Sequence, residues 1–442
     1  MLRKLLILFT VCTAASQIRA DVPVPAVTGP VKVTAKAPDP SHGYPFNSSA
    51  IDLSAKGYVE EEFFIEGAAN RYTLVTGATG SVADSGHHYK TRIVVRRPAT
   101  AKKFNGTVLV EWTNVTGSRD LEMDWFQSAD YFTDAGYVWV GVSAQKIGVD
   151  ALKVWSPARY GTLDVSDDIV SYDIMAGAGL LARGKGTDIL GGLKAQRVIA
   201  TGHSQSAARL GGYVNSIHPL FPVFDGVMLH GGGGMVRTDL TNVKVFKAFS
   251  ETDVRGPAAH QADTPFLHTW EVAGTSHVDS QSEIHFAAIA KLNGAAPAAP
   301  AKCDRPTYSQ VPFRYVFNAA FDHLVRWIKD GTEPPSAPPI QFTSATPPAI
   351  ARDEDGNALG GIRLAEEAVP TALNTGQNAG ASTFCRLYGT HIDFDQARLT
   401  ALYPNHKAYV DAVKAVTEKN LKAGYILKAD ADATIAAAEK RL

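Results

Sequence analysis

Six short, almost unbroken apolar runs occupy the middle of the chain: Thr107–Trp112, Tyr137–Val142, Arg197–Thr201, Gly226–His230, Lys244–Phe249 and Phe266–Val272. A strand with one face in water alternates apolar and polar residues, whereas a run that is apolar throughout suits a strand covered on both faces. Helical patterns lie between the runs, at Asp124–Ala135, Asp167–Arg183 and Ser206–Ile217. Strands and helices in this alternation predict an α/β fold, a mostly parallel central sheet flanked by helices. Tyr58–Ile65 and Arg92–Arg97 read as an opening antiparallel pair, after an irregular lead-in over residues 21–50. Further helices are expected near Ser282–Leu292, Val316–Lys329, Lys407–Ala423 and Asp430–Leu442, and Asp353–Gly361 must be loop. Residues 21–331 are therefore taken as the main domain and 332–442 as a C-terminal extension packed on it.

The first twenty residues follow a different logic. Arg3 and Lys4 precede the apolar stretch Leu5–Ala15, and the small residue Ala20 stands before Asp21. This is the order of a secretory signal peptide, cleaved after Ala20, and it predicts an exported protein, periplasmic or extracellular. The apolar stretch is too short to span a bilayer, and no later segment is long enough, so no membrane span is expected. Outside this segment the cysteines are Cys303 and Cys385, which an oxidising compartment would join as a disulfide. A formal charge of −1 and 20% charged residues leave no basic surplus for nucleic acid or an anionic membrane. The expected ligand is a small molecule or a polymer, and the oligomeric state is left open.

The chemistry is concentrated at Gly202-His203-Ser204-Gln205-Ser206, which follows a strand and opens a helix. Small residues two before and two after a serine allow strand and helix to pack around a sharp turn, the context of a nucleophile elbow. Ser206 stands where a second glycine is usual. The helix start directs its free N–H groups at a developing oxyanion, so the Gln205 N–H is one expected donor. The second is expected from the loop after Thr107–Trp112, at Asn114 or Val115.

A serine is a weak nucleophile until a base takes its proton and an acid orients that base. In a sheet of this kind these partners follow later strands, acid before histidine. Ser250-Glu251-Thr252-Asp253 follows the fifth apolar run, and Ala273-Gly274-Thr275-Ser276-His277 follows the sixth. His277 is the expected base, because His230, His260 and His268 fall within or before strands and His285 within a helix. Asp253 is the preferred acid, with Glu251 as the alternative and the other of the two bracing the turn.

Adjacent His87 and His88 lack a third ligand at helical spacing and read as a solvated loop, so no metal is expected. Gly231–Gly234 has no following Lys-Ser or Lys-Thr to hold a phosphate, and no cofactor is expected. The glycines instead leave room beside Ser204. Trp155, Gln145–Tyr160, Met235–Asn242 and the C-terminal extension are candidates to line or cover the pocket.

Taken together, VEWTNVTG (Val110–Gly117), GYVWVGVSAQ (Gly136–Gln145), GHSQSAARL (Gly202–Leu210), SETDV (Ser250–Val254) and WEVAGTSH (Trp270–His277) resemble the alpha/beta hydrolase domain branch of the α/β-hydrolase superfamily. The resemblance continues through Trp327–Pro335 and Gly356–Arg363, so it covers most of the chain. It implies the α/β-hydrolase fold and serine-esterase chemistry on a small-molecule or polymer ester. Acyl transfer through the same residues is the alternative, and a binding protein on this scaffold would lack one of them.

Overall fold

The computed structural model describes residues 21–299 and 301–441. The signal-peptide reading therefore lies outside the described residues. Ten strands form one sheet: β1 (Ala26–Thr28), β2 (Tyr58–Val75), β3 (Ala78–Pro98), β4 (Thr107–Trp112), β5 (Val138–Val142), β6 (Asp164–Val165), β7 (Arg197–His203), β8 (Gly226–His230), β9 (Lys244–Ser250) and β10 (Leu267–Val272). Their order is β1-β2-β3-β5-β4-β7-β8-β9-β10, with β6 paired to β3. From β5 to β10 every pairing is parallel, and β1, β2, β3 and β6 add the antiparallel edge. The expected α/β class and mostly parallel sheet are what the chain forms.

Each apolar run is buried on both faces because successive side chains enter opposite layers. Val108, Val110, Val198 and Ala200 pack into one layer, with the helix Ser171–Ala182 and Leu210. Leu109, Ile199, Phe246 and Trp270 enter the other, against Phe126 and Phe132 of Met123–Asp134 and Phe317 and Phe321 of Phe313–Asp330.

Two expectations about elements change. The opening strands run on into a long hairpin, β2–β3, so His87 and His88 lie in a strand and not in a loop. His87 contacts Asp84, and His88 lies 3.0 Å from Glu66. The helix expected over Ser206–Ile217 is α-helical only over Gln205–Gly212 and then widens into a π turn at Tyr213–Ile217. Its two closing glycines favour that break, and a Cβ on Gly211 would lie 2.0 Å from the Gly233 carbonyl oxygen.

The segment 332–441 packs against the far edge of the sheet. Ile362 bridges Val272 in parallel register, Trp270 Nε1 donates to the Pro335 carbonyl at 2.8 Å, and the Tyr425 ring meets Trp270 edge-on at 5.4 Å. Cys303 and Cys385 are joined as a disulfide. No helix among the described residues is long and apolar enough to cross a membrane.

Candidate active site

The β7 strand ends in Gly202-His203, and Ser204 follows with φ 61° and ψ −114°, a backbone conformation that costs a non-glycine residue about 1–3 kcal/mol. Its neighbours hold it there. Ser204 N–H donates to the His230 carbonyl at 2.8 Å, and the Ser204 carbonyl accepts from Ala208 N–H at 2.9 Å inside the following helix. A Cβ on Gly202 would sit 3.0 Å from the Ser206 Cβ, so a larger residue two before the serine would press on the start of the helix. The serine at 206 has its own use: its hydroxyl donates to the Thr113 carbonyl at 3.2 Å.

That bond is one of two between the elbow and the loop after β4. The other runs from Asn114 Nδ2 to the His203 carbonyl at 2.9 Å. The loop is also fixed from behind. Arg92 on β3 pairs with Asp120 and Glu62, and Arg96 donates to Glu122 at 2.6 Å between the rings of Trp125 and Trp139. Asp120 in turn accepts from the Thr113 hydroxyl at 3.1 Å.

The structure separates the two expected donors of this loop. Asn114 N–H is already bonded to the Leu121 carbonyl at 2.9 Å and is not available to a ligand. Val115 N–H and Gln205 N–H make no hydrogen bond among the described residues. The contribution of Asn114 is its side chain, which joins loop to elbow, a role the bare motif did not reveal.

The two carboxylates after β9 also separate. His277 Nδ1 donates to Asp253 Oδ1 at 2.6 Å, while Asp253 Oδ2 accepts from Ser250 N–H at 3.0 Å and from the Ser250 hydroxyl at 2.6 Å. Burial pushes the Asp253 carboxyl up, but His277 beside it and the bonds from His277 and Ser250 outweigh this and hold it below the ordinary carboxylate value. Glu251 points away into the C-terminal segment. It accepts from Arg352 at 2.7 Å, Thr375 Oγ1 at 2.8 Å, Gly376 N–H at 3.1 Å and Gly274 N–H at 2.9 Å. Between them, Thr252 Oγ1 accepts from His277 N–H at 3.2 Å and donates to the Gly376 carbonyl at 2.6 Å.

Gly231 and Gly232 sit in the centre of this arrangement. A Cβ on Gly231 would lie 3.0 Å from Asp253 Oδ2 and 3.2 Å from His277 Nδ1, and one on Gly232 would lie 2.6 Å from the Ser204 carbonyl oxygen. Only glycine leaves those atoms where they are.

Behind the histidine is a buried polar column that the sequence did not reveal. The His277, His203 and His230 rings follow one another at 4.2 Å centroid spacing. His230 Nδ1 donates to Asp124 Oδ1 at 2.7 Å, and Asp124 also accepts from the Thr201 hydroxyl. Glu111 on β4 accepts from Asp124 N–H and Trp125 N–H, both at 3.0 Å, and from Trp139 Nε1 at 2.8 Å. Burial, and then the adjacent Asp124, push the Glu111 carboxyl well above its usual value. Burial, and then the neighbouring His277 and His230, hold the His203 imidazole far below its own. His230, Thr201, Asp124 and Glu111 each stand inside or at the end of a strand or helix pattern that by itself says only "core".

Ser204, His203 and His277 open on a cavity of about 240 Å³ whose other walls are mainly apolar, including Leu121, Met123, Val278, Phe286 and Leu387. Ser204 Oγ and His277 Nε2 share no hydrogen bond in this state. Of the segments expected to cover the pocket, only the C-terminal extension contributes, through Phe384, Leu387 and Tyr388. Trp155 lies elsewhere, stacked on His42 at 4.0 Å and packed against Phe46. No cluster of metal-ligating side chains occurs among the described residues.

A parallel sheet, a strained serine at a strand-to-helix turn and an Asp–His pair beyond later strands define the α/β-hydrolase class. The chain belongs to the alpha/beta hydrolase domain family, whose model matches residues 27–436. No curated protein matches it. Among solved structures it is similar to the esterase Est22, at 12% identity and a TM-score of 0.28 over 44% of this chain and 64% of that one. It is also similar to XC6422 from Xanthomonas campestris, an α/β serine hydrolase without lid, at 12% identity and a TM-score of 0.28 over 52% and 97% of the two chains. A third is brefeldin A esterase, a bacterial homologue of human hormone sensitive lipase, at 15% identity and a TM-score of 0.22 over 42% and 43%.

Proposed function

We propose that this protein hydrolyses carboxylic esters through an acyl-Ser204 intermediate. The observation that carries the reading is the 2.6 Å Asp253–His277 bond beside a serine in elbow geometry, with His277 and Ser204 lining one apolar cavity. Ser204 Oγ attacks the ester carbonyl carbon while His277 Nε2 takes its proton, a contact that tightens when substrate binds. Asp253 holds Nδ1 protonated, so that Nε2 is the free base, and it stabilises the imidazolium that forms. The negative charge on the former carbonyl oxygen is received by the Gln205 and Val115 N–H groups. Collapse breaks the bond to the alcohol oxygen, which leaves with the His277 proton. Water then repeats the sequence on the acyl-enzyme, releasing the acid and restoring Ser204.

The amino-terminal pattern and the Cys303–Cys385 bridge support work outside the cytoplasm, periplasmic or extracellular. The test is covalent. A fluorophosphonate should add one adduct at Ser204, and Ser204→Ala should abolish both the adduct and ester turnover, lowering kcat by about 10⁴-fold or more. An adduct that persists in Ser204→Ala removes the assignment. Products formed in the presence of added alcohols distinguish hydrolysis from acyl transfer.

A further inference from the structure

The wall of the cavity made by Phe384, Leu387 and Tyr388 is built from an unusual piece of chain. Its helix, Cys385–Tyr388, is a single turn, far too short to be stable on its own. It is held from outside at three places. Cys385 is bonded to Cys303; the Leu387 carbonyl accepts from Val278 N–H at 2.9 Å; the Tyr388 carbonyl accepts from Ser309 N–H at 3.2 Å. The first of these backbone bonds lands on the residue immediately after His277. Gly389 closes the turn at φ 62°, where a Cβ would lie 2.7 Å from that of Ser276, so the segment is seated directly on the histidine loop. Phe384, next to the bridged cysteine, remains 42% exposed although it lines the cavity.

A large aromatic ring left half in water on the wall of an apolar pocket is a surface for ligand and not for core. The cavity volume sets the scale. A dry cavity of about 150 Å³ admits benzene, and the space here is about 240 Å³.

We propose that Phe384–Tyr388 is the specificity wall of the ester site. It favours esters carrying an aryl or medium-length alkyl group over acetate-sized ones, and the Cys303–Cys385 bridge keeps it in place. This inference rests on the Ser204 reading above and adds the class of substrate to it.

The test compares kcat/KM of the full chain for p-nitrophenyl acetate, hexanoate and phenylacetate, and for ethyl and benzyl acetate. The two sets vary the group on each side of the ester. The wild type is expected to prefer the larger apolar member of at least one set by about tenfold or more. Phe384→Ala, Leu387→Ala and the double variant Cys303→Ser/Cys385→Ser should each reduce that preference several-fold. Leu387→Phe, which fills the cavity, should turn it toward the acetate-sized ester. Fluorophosphonate labelling of Ser204 is followed in parallel. Preferences that stay within twofold of wild type in the Phe384 and Leu387 variants, with Ser204 still labelled, overturn the wall. Ester turnover that survives in Ser204→Ala overturns the underlying reading instead. If the cysteine variant does not fold, the Phe384 and Leu387 variants decide alone.

Discussion

At the scale of single residues, the informative pair is Asp253 and Glu251. They lie two positions apart on one turn, yet one orients His277 and the other anchors the C-terminal segment. Their variants should therefore fail differently. Asp253→Asn removes the carboxylate that holds the imidazole tautomer, and kcat should fall by about 10⁴-fold with little change in melting temperature. Glu251→Gln leaves the Asp253–His277 bond in place but uncouples the buried carboxylate from Arg352, a loss of about 3 kcal/mol that thermal unfolding would report. Its kcat, measured well below the melting temperature, should fall far less. Equal collapse of kcat in both variants would contradict the separation of roles.

At the scale of elements, the geometry of the proposed mechanism depends on how the β4 loop and the β7 elbow are joined. Asn114 Nδ2 and Ser206 Oγ donate the two side-chain links, and neither takes part in a bond-making step of the proposed mechanism. Asn114→Ala leaves the Asn114–Leu121 backbone bridge intact while freeing the His203 carbonyl. The Val115 N–H should then be less well aimed at the oxyanion. We expect kcat to fall by about 10–100-fold with KM changed little, since misplacing one donor weakens the transition state and not ground-state binding. A rise in KM at constant kcat would show that the link serves substrate binding instead.

At the scale of the whole molecule, burial of histidine links stability to pH. Burial lowers the His218 imidazole to about 4, against an ordinary value of 6.5, while its Nε2–H donates to the Phe224 carbonyl at 3.0 Å. The unfolded chain thus takes up a proton below pH 6.5 that the folded one refuses. This contribution is fully present above pH 6.5 and is lost as pH falls toward 4, by about 3 kcal/mol in all. His203 is shifted the same way and steepens the loss. The melting temperature should decline over this window, and His218→Gln should flatten the decline. An unchanged slope in that variant would remove His218 as its source.

The sheet was legible in the sequence because burial on both faces leaves an unbroken apolar run that few other structures require. All six runs became parallel strands at nearly their expected bounds. The elbow and the two turns after β9 and β10 were legible for a related reason: local backbone geometry demands small residues at set spacing, and strand ends determine which loops share an edge. What remained open was every choice that depends on where a side chain points once distant segments meet. Asp253 and Glu251 both fit the turn; the position of Thr375, Gly376 and Arg352 determines which carboxylate is drawn away. Asn114 and Val115 both fit the loop; the bridge to Leu121 takes one amide and leaves the other. The histidine column and the Phe384–Tyr388 wall join residues far apart in the chain, with no shared periodicity to announce them. Local sequence determined the layers and the sheet edge that carries the candidate site, because those follow from near-neighbour sterics and the need to bury apolar surface. Tertiary packing decided the partners, because a hydrogen bond has direction and its acceptor comes from elsewhere in the chain.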